Sequence, residues 1–257
     1  MNGSGILRRF STATFAALIL LGVATPSRAT TVITWNVSTI SADTDVITTG
    51  TLVSAVRIGT NGYPGPTGNV TVNGVTFVPG LYSSNPISEG AFDLSYLGSN
   101  SLYGNAVTLY GSPLGDLLSQ GVNEQGGSVG QLTINGLTNG NDYELQVFSF
   151  LGDYNNPDGV NGSFIKFDPS TAGYTGSGST AVNGQFLVAS FTASSTSLTL
   201  DWSVNGGVKQ AAINALQLRD VTIVVPEPST VFLSCMGGVA IWWRRRSAKR
   251  AGSTPLR

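Results

Sequence analysis

Residues 69–77 read NVTVNGVTF. An Asn-Gly pair, Asn73-Gly74, sits between two short alternating apolar runs. A two-residue hairpin loop of type I′ needs positive φ at both central positions, and Asn followed by Gly tolerates that best. Folded so, Val72 faces Val75 and Val70 faces Phe77, all four on one side of the ribbon. Nine residues thus specify two strands, their turn and their register.

The same period-two pattern extends outward. SLTLDWSV puts Leu198, Leu200, Trp202 and Val204 on one face against Thr199, Asp201 and Ser203. DYELQVFSF alternates Tyr143, Leu145 and Val147, then turns apolar on both faces at Phe148 and Phe150. TTVITWNV, TGTLVSAVRIG, GQFLVASFTA and AAINALQLRDV read as further strands. One helical stretch interrupts them: Ser112-Pro113 opens PLGDLLSQGV, which sets Leu114, Leu117, Leu118 and Val122 on one face with Asp116 in the first turn. It is expected to cover one open end of the sheet pair. The glycine content (33) and the low charge (11%) favour a turn-rich all-β body over a helical one. About ten strands in roughly 195 residues point to a two-sheet β-sandwich with one short helix.

Charge is unevenly placed along the 257 residues. Between Thr30 and Val225 there are thirteen acidic and four basic residues, a net of −9, and the other nine basic residues lie at the two ends. An acidic body repels phosphate backbones, so a nucleic acid is not an expected partner. The chain has no histidine and one cysteine, Cys235. That excludes an internal disulfide, a Cys/His zinc site, and Ser-His-Asp or Cys-His catalysis. No glycine-rich phosphate loop opens a helix.

Both ends read as addresses. Arg8 and Arg9 precede the apolar run STATFAALILLGVA, and Ser27 and Ala29 offer small residues for cleavage after Ala29. Residues 1–29 are therefore expected to be a secretory signal helix, a retained anchor being the alternative. At the far end, VPEPST leads into an apolar run over 230–243 that closes on Trp242 and Trp243, followed by Arg244, Arg245 and Arg246. As helix that run spans about 21 Å against a hydrocarbon core of about 30 Å, which makes it a short membrane helix with an arginine stop on the cytoplasmic side. Pro226, Glu227, Pro228 and Ser229, then the short apolar helix, then the arginine block, resemble the PEP-CTERM sorting signal. The resemblance covers residues 223–250, with 251–257 a disordered end. It implies recognition of Pro226-Glu227-Pro228 by a membrane-embedded exosortase, cleavage near that motif, and delivery of the 30–222 body to the cell surface or its polysaccharide matrix. Ser234 and Cys235 within the helix depart from the usual pattern.

LTINGLTNGNDYELQVFSF and AAINALQLRDV resemble the central-strand entry and the closing strand of the galactose-binding-like jelly rolls. That likeness implies a jelly-roll sandwich and leaves the function open. For a sugar, the candidate stacking platforms are Tyr63, Tyr82, Tyr154 and Tyr174. Only oxygen ligands are on offer for a metal, which makes calcium the cation to expect; Asp43 and Asp45 in ISADTDV, and Asp153, Asn155 and Asp158 in GDYNNPDGVNGSF, are its candidate ligands. Each of these groups equally suits a solvated turn or a lid over the core edge. The expected function is a non-catalytic exported surface or matrix protein that interacts with extracellular polysaccharide. The alternatives are a structural matrix protein with no specific ligand and a carbohydrate-active enzyme working through paired carboxylates.

Overall fold

The computed structural model describes residues 30–59, 67–81, 85–96, 100–102, 106–125, 128–151, 165–169, 174–180, 184–204 and 210–223. Strands are numbered in chain order. The large sheet runs, edge to edge, β12 (Tyr174–Thr175), β1 (Thr31–Thr39), β14 (Gln185–Thr192), β10 (Asp142–Ser149), β17 (Ala215–Asp220), β2 (Thr51–Gly59), β4 (Val75–Leu81) and β3 (Val70–Val72). The small sheet runs β13 (Gly178–Ser179), β11 (Ile165–Asp168), β15 (Ser197–Val204), β9 (Val129–Asn135), β6 (Phe92–Ser95) and β5 (Ile87–Glu89). A third sheet of three strands, β16 (Gln210–Ile213), β8 (Gln120–Gln125) and β7 (Asn100–Leu102), extends the structure at one end. The fold is an all-β sandwich, as the alternation predicts. Pairing is antiparallel except for β1 with β12 and β2 with β4.

The opening hairpin forms as read. Asn73 and Gly74 have φ of 49° and 76°, Val72 pairs with Val75 and Val70 with Phe77, and all four apolar side chains are buried. In β10, Tyr143, Leu145 and Val147 point between the two main sheets. There they meet Leu187, Ala189 and Phe191 of β14, Leu216 and Leu218 of β17, and Leu198, Leu200 and Trp202 of β15.

The other face of the large sheet carries a second core. Phe148, Phe186, Ala215 and Ala55 project there and are covered by the β3–β4 hairpin and by two short helices, α1 (Ala106–Tyr110) and α2 (Leu114–Leu118). Phe148 packs edge-on to Phe77 at 6.3 Å and tilted against Phe186 at 5.8 Å. Two sequence expectations change here. The helix stops at Leu118, and Val122 belongs to β8 and to the inter-sheet core. Leu114, Leu117 and Leu118 are buried as expected, but against the back of the large sheet rather than across an open end.

A strap, residues 40–50, lies over the same back face. Arg219 holds it from β17: Nε donates to Thr49 O at 2.5 Å, and Nη2 donates to Thr48 O and Gly50 O at 2.8 Å each. Gln146 Nε2 donates to Asp45 O at 2.6 Å and Gln217 Nε2 to Ile47 O at 3.1 Å. Asn73 in the hairpin turn adds a bond to Val46 O at 2.8 Å. Polar side chains on the sheet thus fasten the strap by its carbonyls.

Candidate functional site

The register fixes two ends of the sandwich. Ser149 pairs with Gln185, which pairs with Thr39, and Phe148 pairs with Ala215, which pairs with Arg57. These residues mark the distal end. At the opposite end Tyr143 pairs with Phe191 and Asp220, and Phe191 pairs with Ile33. The first and last described strands, β1 and β17, therefore both meet the rest of the chain at this second, terminal end, three strand spacings or about 15 Å apart.

Most of the buried polar side chains collect distally. Asn214, at the β16–β17 junction, is the hub: Nδ2 donates to Leu118 O and Gln120 O at 3.0 Å each, and Oδ1 accepts Phe150 N–H at 2.6 Å. Its backbone carbonyl accepts Ile58 N–H at 2.8 Å. Ser149 Oγ donates to Ala212 O at 2.8 Å, and Asn123 Nδ2 to Gln210 Oε1 at 3.1 Å. Arg57, on the back face of β2, is fully buried and donates from Nε to Gly68 O at 2.9 Å. Burial pushes its guanidinium below the ordinary arginine value, with the Asp116 charge opposing that shift. Glu124 is fully buried on the core-facing side of β8, two residues after Val122.

Among the sugar-stacking candidates, Tyr63, Tyr82 and Tyr154 lie outside the described residues, as do Asp153, Asn155 and Asp158. The described residues that flank their segments, Gly59, Gly68, Leu81, Leu151 and Ile165, all stand at the distal end. Tyr174 is a correction. It is 3% exposed, packs in the inter-sheet core near the terminal end, and donates its hydroxyl to Asp168 O at 2.5 Å. Burial, then the charges of Asp201 and Asp168, push that hydroxyl well above the ordinary tyrosine value. A ring so enclosed offers no face to a sugar.

Asp43 and Asp45 form a 3₁₀ turn in the strap. Asp45 Oδ2 accepts Ser41 N–H at 2.6 Å, Ala42 N–H at 2.8 Å and Ser41 Oγ at 3.0 Å. Those three donors give that oxygen a structural task. Among the described residues no group of three or more acidic, histidine or cysteine side chains gathers into a metal site. The sorting motif, Pro226 to Ser229 with Arg244, Arg245 and Arg246, and the 1–29 signal segment lie outside the described residues, and no helix among those described is long and apolar enough to cross a membrane.

The outer face of the small sheet is a polar ladder that the alternation alone did not single out. Gln131 Nε2 donates to Asp201 Oδ1 at 3.1 Å, Thr133 and Thr199 share a hydroxyl bond at 3.0 Å, and Asn135 Nδ2 donates to Asp93 Oδ2 at 2.7 Å. Lys166 pairs with Asp168 at 2.5 Å beside them. The sequence signal was present in the polar positions between Leu198, Leu200 and Trp202; what it lacked was the neighbouring strands.

No protein-family model and no curated protein matches this chain. Among solved structures, Bacteroides uniformis β-glucuronidase 2 covalently bound to cyclophellitol-6-carboxylate aziridine aligns at 14% identity and a TM-score of 0.39, covering 65% of this chain and 17% of that one. The chain spans about a sixth of that enzyme's length. A likeness of this size bears on neither activity nor ligand.

Proposed function

We propose that the chain is an exported, non-catalytic surface or matrix protein whose sandwich interacts with extracellular polysaccharide and whose C-terminus is handled by an exosortase-type membrane enzyme. The observation that carries this reading is the order of elements over residues 223–250: Pro226-Glu227-Pro228-Ser229, a short apolar run, then Arg244 to Arg246. The geometry of the body agrees with it. A tail that continues from β17 departs at the terminal end, opposite the distal end. Hydroxyl, amide and carboxylate groups such as those of Thr133, Thr199, Asn135 and Asp93 suit hydrogen bonding to sugar hydroxyls.

Mass spectrometry of the mature protein from its native cells tests the sorting step. The expected result is a new N-terminus at Thr30 and loss of everything after the Pro226–Pro228 region; recovery of external material ending at Arg257 would overturn it. A second reading, a structural matrix protein without a specific ligand, is favoured by the burial of Tyr174 and the engagement of Asp45. A polysaccharide pull-down with residues 30–223 separates the two, and both give no released reducing sugar. Calcium is proposed on Asp153, Asn155 and Asp158; a chelator that leaves the Tm of the protein unchanged removes it.

A further inference from the structure

Among the described residues β12 borders only the first two residues of β1, and beyond them β1 is paired on one side only. Tyr174 and Thr175 cover Thr31 and Val32. Gly176 then passes so close to Ile33 O that no Cβ would fit, and the chain leaves for the small sheet. On the paired side, Ile40 N–H donates to Gly184 O. Counting back along the ladder, the even-numbered residues of β1 point their backbone groups at β14, and Trp35, Val37 and Thr39 point theirs outward. Among the described residues those outward groups have no hydrogen-bond partner. The strip is open: Asn36, Val37, Ser38 and Thr39 are all exposed, Val37 at 40%.

Edge strands are usually blunted by lysine, proline or a bulge. Trp35 to Thr39 carries none of these and no charge, on a body with a net charge of −9. Two copies repel one another elsewhere and meet a neutral strip here. The strip is also self-complementary in register. About a two-fold axis at Val37, Val37 faces Val37 of the second copy and Trp35 faces Thr39, so that each outward-facing residue meets an outward-facing one and exchanges both N–H···O bonds. Centring it on Asn36 sets Thr39 against Ile33, and centring it on Ser38 sets Trp35 against Ser41, whose N–H is already given to Asp45. Centring it on Trp35 requires Ile33, whose carbonyl lies against Gly176.

We propose that two copies of this chain pair antiparallel through β1 about Val37, joining their large sheets into one. This goes beyond the functional reading and stands whether or not a polysaccharide is bound.

The test uses the full chain in a mild detergent. Sedimentation equilibrium is expected to show a reversible dimer. Val37→Pro removes an outward N–H and leaves the β14 ladder intact, so the dimer should weaken by about tenfold or more. Should that variant fail to fold, Val37→Lys places like charges opposite each other and is expected to do the same. In a Cys235→Ser background, Val37→Cys should form a disulfide-linked dimer on mild oxidation, whereas Asn36→Cys, on the opposite face, should not. A wild type that stays monomeric up to about 0.5 mM, a dimer that survives both Val37 variants, or equal trapping at positions 36 and 37 would overturn the proposal.

Discussion

Asn214 joins four elements with one side chain and its backbone, and every bond it makes is buried. Replacing it by alanine removes a donor from two buried carbonyls and an acceptor from one buried N–H. Asn214→Ala is therefore expected to lower stability by about 2–4 kcal/mol in urea unfolding, while Asn214→Asp recovers only the Phe150 bond. Tyr174 makes a different point. Its hydroxyl ionises near 10.0 in the unfolded chain and higher in the folded one. The folded state thus favours the protonated form, and that contribution is complete below pH 10 and is lost as pH rises above it. Unfolding followed from pH 8 to 11 should fall more steeply in the wild type than in Tyr174→Phe. At neutral pH the same variant should lose about 1 kcal/mol for the missing bond to Asp168 O. The sequence misplaced this residue for a physical reason: glycines around a tyrosine suggest an open loop, and nothing local says that the chain crosses there between two sheets.

Elements were legible where their own residues decide them. Asn73-Gly74 sets its hairpin by backbone conformation, and the strand register follows without help from the rest of the fold. Asn73 also holds the strap through Val46 O. Asn73→Gly keeps the turn and loses that bond, so it should cost about 1 kcal/mol, and Asn73→Ala more, since it loses the bond and strains a positive φ as well. Arg219→Met should cost about 2–4 kcal/mol, because Thr48, Thr49 and Gly50 lose the donor they share. The helix expected from Ser112-Pro113 begins one residue later, at Leu114 with Pro113 as its N-cap, and ends sooner than its apolar period suggests. Leu114, Leu117, Leu118 and Val122 fit a helical period, yet Val122 alternates with Gln120 and Glu124 equally well, and pairing with Ile213 in β16 decides between them.

At the scale of the molecule, alternation in β9, β10 and β15 showed the inter-sheet core, since each strand declares its buried face. The second core was hidden because its members are scattered singly over strands that already carry a full apolar face: Phe148, Phe186 and Ala215 read as extra apolar positions until the hairpin and α2 cover them. Among the described residues both cores are built from side chains between Ile33 and Leu218. A chain truncated after Ile223 should therefore keep the Tm of its parent, measured by circular dichroism.

Because the first and last strands of the sandwich open on one side, copies fused in tandem would hang in a row from a common base, like teeth on a comb, instead of threading into a line. Each tooth would present the same free tip, and lengthening the tip loops would leave the spacing of the row untouched.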